Sequence, residues 1–134
     1  MNRRQFLQWT EQILSLQKCS DCMVGLHFLN DRQMRAYNRD YRQQDRPTNV
    51  LAFAMREGEG GALTPHLLGD VMISIPTAAR EAVAFGRSEA QHLLVLLIHG
   101  MLHLMGYDHE RSKVEARRMK RREDLLFEKL WEGD

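Results

Sequence analysis

The sequence predicts one α+β domain spanning residues 1–134, with a small mixed β-sheet of about three to four strands packed with about five helices. Three observations support this fold class. The chain has 134 residues, 43% of them hydrophobic, and a formal net charge of +1, so it can bury a core without disulfides or a structural metal. Apolar residues alternate between helical spacing and short, continuous, strand-like runs. The resulting order is α-β-α-β-β-α-α-α, with no internal repeat.

The first third of the chain contains two predicted helices that flank one strand. Apolar side chains at helical spacing predict a first helix over residues 3 to 17. The mostly apolar run over residues 22 to 29 is typical of a short, buried strand. Asn30 and Asp31 follow it, and both residue types are favoured N-caps, so we expect a second helix from about residue 31 to 40.

Two further strands are expected in the middle of the chain. Pro47 marks a turn, and the apolar run over residues 50 to 55 predicts the second strand. Residues 57 to 65 contain three glycines and a proline, which indicates a loop. Residues 67 to 75 predict a third strand, and Pro76 at its end cannot donate a hydrogen bond to extend the ladder.

The second half of the chain is expected to be helical. A short helix is predicted over residues 77 to 85, and Gly86 ends it. Ser88 and Gln91 have the spacing of a capping box, in which two side chains bond to each other's backbone N–H groups. They therefore begin a long apolar helix, which should end at Gly106.

A charged C-terminal helix should begin at Ser112, which has capping-box spacing with Glu115. Residues 111 to 122 contain seven lysines and arginines against one glutamate. Such a run usually forms a solvated helix face, and it can also follow the phosphates of a nucleic acid. No aromatic residue lies within the run, so any base stacking must come from elsewhere, with Tyr41 and Tyr107 as candidates.

Cysteine content and hydropathy indicate the compartment. Cys19 and Cys22 form one C-x-x-C pair, and no second pair completes a four-thiolate site, so we expect two reduced thiols. The first ten residues lack the continuous apolar core of a signal peptide. Residues 93 to 98 form the longest strongly apolar run, and the histidines that flank it disfavour a membrane span. We therefore expect a cytoplasmic protein with no membrane partner.

Three of the six histidines lie within residues 99 to 109, in the sequence HGMLHLMGYDH. Residues four apart on a helix lie one above the other, about 6 Å along the axis, so His99 and His103 can direct two imidazoles at one point. Gly106 allows a left-handed turn that ends the helix and returns His109 to the same point. Three histidine ligands leave a fourth tetrahedral position open for water, which is typical of a catalytic zinc site and of a zinc-metalloprotease-like helix.

The alternative is that these histidines are core residues that hydrogen-bond to backbone carbonyls. Burying His99 and His103 together without a shared partner would cost on the order of 1–3 kcal/mol per unsatisfied group. The metal site also accounts for the third histidine and the glycine, so it is favoured. His27, His66 and His92 are expected to lie outside it.

The spacing H-x3-H-x2-G-x2-H matches the metzincin protease pattern in every ligand. Gly100 stands where those enzymes carry the glutamate that acts as general base, so peptidase activity is disfavoured. A metal site without that base can still lower the pKa of a bound water to about 7. A basic group near the metal would indicate a phosphodiester substrate.

Three ordered motifs resemble one known family. They are N-x-x-Y-R-x-x-D-x-P-T-N-V-L-x-F over residues 38 to 53, LGDVMIS over residues 68 to 74, and H-G-x-L-H-L-x-G-Y-D-H over residues 99 to 109. Together they resemble the YbeY family of bacterial ribosomal RNA maturation factors. The resemblance covers roughly residues 30 to 110.

The resemblance implies a zinc-dependent endoribonuclease, specific for single strands, that acts in ribosome quality control and in maturation of ribosomal RNA, notably at the 3′ end of 16S rRNA. It implies one zinc ion per chain, bound by His99, His103 and His109. It also implies that Arg42 is a catalytic residue in the cavity that faces the metal. Ribosomal RNA, the small ribosomal subunit and its assembly factors are the implied partners, and no DNA is expected.

The residues themselves leave several roles open. The Arg42 guanidinium can offer a planar fork to a phosphate, or it can form a surface ion pair with Asp40 or Asp45. Asp70 can orient a histidine that binds the metal, but a structural role is favoured. Asp108 immediately precedes His109 and can form a hydrogen bond within the turn.

Three functional hypotheses follow. The first is a metal-dependent endoribonuclease in which activated water or a 2′-hydroxyl attacks the phosphodiester, with the general base unassigned. The second is a non-catalytic ribosome-assembly factor whose metal site is structural. The third, which Gly100 disfavours, is a metallohydrolase of a small or peptide substrate. Three imidazoles also suit nickel, cobalt or copper, so the residues alone do not select the metal.

Overall fold

The computed structural model describes residues 2–55 and 66–132, so the predicted loop over residues 57 to 65 lies outside the described residues. Within them, five helices and three strands follow one another in the predicted order. The elements are α1 (Arg3–Leu16), β1 (Met23–Leu29), α2 (Asp31–Arg42), β2 (Val50–Ala54), β3 (Leu67–Ser74), α3 (Ile75–Ala84), α4 (Glu89–Leu104) and α5 (Lys113–Leu130). The predicted α+β class is confirmed.

The three strands form one mixed sheet with the order β1-β3-β2. β1 runs parallel to β3, and β2 runs antiparallel to β3 with Val50 opposite Ile73 and Ala52 opposite Val71. Since a parallel pair cannot be closed by a hairpin, the chain crosses from β1 to β3 through α2 and β2. β2 is therefore an edge strand in the described sheet, and this edge borders the cavity described below.

The apolar helix α4 packs on one face of the sheet and supplies much of the core. Leu94, Leu97 and Met101 are fully buried there. At Gly100 the helix approaches the sheet so closely that an added Cβ would lie 2.8 Å from Val71 Cγ1 and 3.2 Å from a Val50 methyl. Glycine at position 100 therefore has a packing reason, which also explains why a glutamate is absent from this position.

The helix α2 packs on the opposite face of the sheet. Side chains alternate between the two faces of a strand, so Phe53 points away from the face on which Val50 meets α4. Phe53 contacts Tyr41 near the end of α2, with ring centroids 5.0 Å apart. The C-terminal end of α2 and the second half of α4 thus lie on opposite faces of the sheet, and both border the β2 edge.

Local capping signals set the helix boundaries. Asn30 and Gln33 form a full capping box at α2, and Ser88 and Gln91 form the predicted one at α4. The predicted box at α5 is only half formed: the Ser112 side chain accepts from the backbone N–H of residue 115.

Several boundaries differ from the sequence prediction by one or two residues, and two of these differences have a clear local cause. β3 ends at Ser74 rather than at residue 75, because the Ser74 hydroxyl caps α3 by accepting from the Thr77 N–H. Pro76 lies in the first turn of α3, where its missing N–H costs nothing. α2 continues to Arg42, two residues beyond the expected end, and the left-handed Gln43 terminates it.

The prediction of two reduced thiols is wrong in this structure, because Cys19 and Cys22 are joined by a disulfide. The four-residue C-x-x-C turn brings the two Cα atoms within 5.4 Å, which lies in the range that a disulfide spans. Within residues 2–55 and 66–132, no helix combines the length and apolar composition that crossing a bilayer requires.

Candidate metal centre

The helix α4 presents two imidazoles on one face. His99 and His103 are one helical turn apart, and their ring centroids lie 4.7 Å from each other. Their Nε2 atoms are 3.2 Å apart, so both point at one position. The spacing of four residues on a helix thus has the predicted geometric effect.

The turn after α4 brings in the third imidazole. Gly106 has a φ of +94°, in the left-handed region that favours glycine. The chain is held there by the Tyr107 N–H, which donates to the Leu102 carbonyl at 3.0 Å. The His109 ring then lies with its centroid 5.2 Å from the other two ring centroids.

Together the three histidines form a group that can hold a metal ion. One ligand atom from each of His99, His103 and His109 lies within 4.8 Å of the others. The first two side chains are half-buried and the third is exposed, so the site is open to solvent on the His109 side. A bound ion would keep a position facing the cavity for water or substrate.

Glu123 of α5 fixes the orientation of His99, and the sequence did not reveal this contact. The Glu123 Oε2 lies 2.9 Å from the His99 Nδ1, and the side chains are 20% and 27% exposed. An ionised carboxylate only accepts hydrogen bonds, so His99 donates its Nδ1–H to Glu123. Its Nε2 lone pair is then left pointing towards the other histidines, as a metal ligand requires.

The pKa of His103 is lowered from its ordinary value. Burial is the main cause, because it disfavours the charged imidazolium, and the neighbouring His99 and His109 lower the pKa further. His103 is therefore neutral at neutral pH. The neutral imidazole is the form that binds a metal ion.

Arg42 lies in the same cavity as the three histidines. The cavity has a volume of about 480 Å³, and Arg42, the last residue of α2, lines it together with the edge strand β2. The two carboxylates considered as partners of Arg42 pair with other arginines. Asp45 accepts two hydrogen bonds of 2.7 and 3.0 Å from Arg35, and Asp40 pairs with Arg39. Among the described residues Arg42 makes no ion pair, so none of their carboxylates competes with an anion for its guanidinium.

The segment after Arg42 is held in place by side-chain contacts that the sequence pattern did not reveal. The buried Asn38 donates its Nδ2–H to the Arg46 carbonyl at 2.8 Å. The fork between Arg35 and Asp45 ties the same segment back to α2. These contacts fix the C-terminal end of α2, and with it the position from which the Arg42 side chain extends.

A polar network connects the cavity to the core. Asn49, which lines the cavity, donates its Nδ2–H to the two Glu81 carboxylate oxygens at 3.1 and 3.3 Å. The buried His92 Nε2 lies 2.8 Å from Glu81 Oε1. Among the described residues the His92 Nδ1 has no hydrogen-bond partner. His92 therefore has a structural role, and Glu81 connects it to the cavity wall.

The remaining histidines lie outside the metal centre, as expected. Asp70 pairs with His27 across neighbouring strands at 2.9 Å, so it orients no histidine of the cavity. His66 pairs with Asp21 at 3.2 Å. The Asp108 carboxylate accepts from the Glu110 N–H at 2.8 Å, which is the predicted turn role.

The basic run at the start of α5 is partly neutralised by its neighbours. Lys120 pairs with Asp124 at 2.9 Å, and Arg122 donates to the Leu16 carbonyl at 3.1 Å. Arg118 lies over the Tyr107 ring, 4.8 Å from its centroid. The run reaches the cavity through Arg111.

Comparison with known proteins adds to this geometry. A model of the family described as Endoribonuclease YbeY matches residues 1–131 of the chain. The chain belongs to the YbeY family. The match extends well beyond the three motifs and includes α1 and α5, the helix that carries Glu123.

Individual relatives agree with this membership. The protein from Syntrophotalea carbinolica named Endoribonuclease YbeY is 49% identical over 123 residues, which cover 91% of this chain and 82% of the relative. The protein of the same name from Geobacter metallireducens is 52% identical over 118 residues, covering 87% of this chain and 79% of the relative. The solution structure of TM1509 from Thermotoga maritima superimposes with a TM-score of 0.67 at 26% identity, covering 92% of this chain and 77% of that chain.

Proposed function

We propose that this YbeY-family chain is a metal-dependent endoribonuclease that cleaves single-stranded RNA during maturation of ribosomal RNA, notably at the 3′ end of 16S rRNA. The observation that carries the proposal is one cavity that is lined by three convergent imidazoles and by the Arg42 guanidinium, which has no ion pair among the described residues. A metal ion and an arginine are the two groups that stabilise charge on a phosphodiester as it is attacked.

His99, His103 and His109 would hold one zinc ion per chain. Imidazole nitrogens bound to one tetrahedral zinc lie roughly 3.3 Å apart, because each Zn–N bond is about 2.0–2.1 Å long. The 3.2 Å between the Nε2 atoms of His99 and His103 fits this spacing. When bound, zinc supplies a Lewis acid that lowers the pKa of a bound water and polarises a phosphoryl oxygen.

The protein's own residues position the substrate around that ion. Arg42 extends from the end of α2 and can bind two phosphate oxygens through its planar fork. Glu123 holds the His99 ring in the orientation that presents its Nε2 to the cavity. Gly100 leaves no side chain in the position of the metzincin base. Attack by water and attack by the RNA's own 2′-hydroxyl are therefore both compatible with the site.

The proposed substrate also sets the proposed partners and compartment. Ribosomal RNA would reach the cavity as part of the small ribosomal subunit or its precursors, in the presence of assembly factors. Ribosomal RNA matures where bacterial ribosomes assemble, so we propose a cytoplasmic location. No contact to DNA is proposed.

The test is cleavage of a single-stranded fragment from the 3′ end of 16S rRNA by the zinc-loaded protein. His99→Ala removes one ligand and should lower the cleavage rate by at least about 100-fold, together with the bound zinc measured by elemental analysis. His66→Ala is the matched control, since His66 is exposed and lies outside the cavity. Full activity of a zinc-free His99→Ala protein would overturn the proposal.

A further inference from the structure

An exposed aromatic cluster lies beside the metal centre. Tyr37 and Tyr41 are one turn apart on α2, and their rings stack with an interplanar angle of 13° and centroids 6.1 Å apart. Tyr41 also meets Phe53 of β2 edge to face. Although it makes both contacts, Tyr41 is 62% exposed, so much of its ring is open to solvent.

Tyr41 borders the space in which a substrate of the metal centre would bind. Both Tyr41 and Phe53 line the cavity that contains the three histidines. Tyr41 immediately precedes Arg42 at the end of α2, so the aromatic ring and the guanidinium extend from adjacent positions. One strand of nucleic acid offers the complementary pair of groups, a flat base and the phosphate next to it.

The second tyrosine of the cavity is not comparably available. Tyr107 is half-buried, and the Arg118 guanidinium lies 4.8 Å from its ring centroid. Its ring is thus already used in a cation–π contact. Of the two tyrosines that the sequence offers for base stacking at this cavity, Tyr41 is the one with an open ring.

We propose that Tyr41 stacks against a nucleobase of the RNA strand whose phosphate is bound at Arg42. This inference rests on the proposed function and adds a base-binding subsite to it. Stacking on an aromatic side chain accepts any base, so the subsite would give affinity without sequence preference. It would also select single strands, because the bases of a duplex are stacked on each other and paired.

The subsite is tested by binding, separately from cleavage. Fluorescence anisotropy is used to measure the affinity of the zinc-loaded protein for a labelled single-stranded RNA, and for an oligonucleotide of equal length whose residues are abasic. The two probes carry the same phosphates, so the difference between them reports base contacts. We expect the wild-type protein to bind the base-containing probe more tightly, and to bind the corresponding duplex weakly.

Substitution of Tyr41 should remove this difference. Tyr41→Ala should weaken binding of the base-containing RNA by roughly 5- to 100-fold and leave the abasic probe unchanged. Tyr41→Phe keeps the aromatic face and should retain the affinity. Tyr41→Leu keeps an apolar contact to Phe53 but has no aromatic face, so its RNA binding should be weakened as in Tyr41→Ala. It provides the same test if the alanine variant folds poorly. Phe85→Ala is the matched control, because Phe85 is also 62% exposed and lies outside the cavity.

The slope of affinity against salt gives a second readout. Stacking involves no phosphate, so the slope should be the same for Tyr41→Ala and the wild-type protein. If Tyr41→Ala bound both probes equally more weakly, or bound neither more weakly, the proposal of a stacking subsite would be overturned.

Failure of the subsite and failure of the proposed function are distinguishable. If zinc-dependent cleavage is observed but Tyr41→Ala and Tyr41→Leu bind RNA normally, only the proposed subsite is contradicted. If binding depends on the bases and on Tyr41 but the protein cleaves no RNA, the proposed nuclease activity is contradicted and the subsite is supported.

Discussion

The Nδ1 atom of His99 lies 2.9 Å from Oε2 of Glu123, so a residue of α5 fixes an imidazole of α4. Both side chains are half-buried, which limits competition from water. The contact makes the C-terminal helix part of the candidate metal centre, although α5 contributes none of its three histidines. The orientation of the His99 Nε2 therefore depends on packing between α4 and α5.

Removing the Glu123 carboxylate should weaken metal binding. Glu123→Ala leaves the three histidines in place but frees the His99 ring to rotate and to change tautomer. Such outer partners typically contribute 10- to 100-fold to metal affinity, and we expect a loss of about that size. Zinc titration against a chromophoric chelator measures it. Asp124 is next in sequence and pairs with Lys120 on the surface, so Asp124→Ala should bind zinc like the wild-type protein. Equal affinity in both variants would contradict the role of Glu123.

A side chain at position 100 should destabilise the fold. Gly100→Ala gains up to about 1 kcal/mol of helix propensity. The new Cβ would lie 2.8 Å from a methyl of Val71, which is fully buried on a strand and cannot move aside. Such overpacking typically costs about 1–3 kcal/mol, so we expect a net loss of about 1 kcal/mol in the free energy of unfolding, measured with urea.

A double-mutant cycle separates this clash from other effects of the substitution. Val71→Ala removes the methyl that the new Cβ would meet, so Gly100→Ala should be stabilising, or close to neutral, in that background. The cycle should give a favourable coupling of about 1 kcal/mol or more. Additive effects of the two substitutions would show that the close approach of α4 to β3 is not what excludes a side chain.

The sequence predicted the elements and the convergence of the three histidines because these depend on local signals. Capping pairs, apolar spacing and the glycine at position 106 each act over a few residues. Glu123 was missed because it lies 24 residues from His99, and only the packing of α5 on α4 brings them together. The Arg35–Asp45 pair was missed for a similar reason, since the charges around Arg42 allowed several pairings. A C-x-x-C pair fits both thiols and a disulfide, so the oxidation state of Cys19 and Cys22 could not be deduced.

Arg42 should affect cleavage without affecting the metal. Arg42→Ala removes the guanidinium from the cavity, and loss of one such charge-stabilising donor typically lowers kcat by about 100- to 1,000-fold. Arg42→Lys keeps the charge but not the fork, so it should recover only part of the activity. Bound zinc should be unchanged in both. Arg39→Ala, on the same last turn of α2 and outside the cavity, is the control. Zinc loss in Arg42→Ala would contradict a role at the substrate.

Glu81 should stabilise the protein through His92. Glu81→Ala leaves the buried His92 ring without its Nε2 partner, and an unsatisfied buried polar group costs about 1–3 kcal/mol. Urea unfolding should show a loss in that range, while Glu11→Ala, on the surface of α1, should stay within about 0.5 kcal/mol of wild type. Replacing both partners also removes the His92 ring nitrogen that Glu81→Ala leaves without a hydrogen-bond partner. The double variant Glu81→Ala/His92→Leu should therefore be more stable than Glu81→Ala alone. A double variant that is less stable would contradict this explanation.

Asp31 should give the fold an acid-sensitive contribution to stability. Hydrogen bonds from Thr77 foremost, and from Arg80 and Ser74, hold the pKa of this carboxyl below its ordinary value. The unfolded chain therefore takes up the proton at a higher pH than the folded one, so the contribution is fully present above roughly pH 4 and is lost as the pH falls through the folded pKa. Asp31→Asn should cost about 1 kcal/mol at pH 7, since the side chain is 31% exposed, and this difference from wild type should shrink below roughly pH 4. Urea unfolding at pH 7, 5 and 3.5 measures it, with the exposed Asp40→Asn as control. A difference that stays constant with pH would show that the carboxylate charge does not stabilise the start of α2.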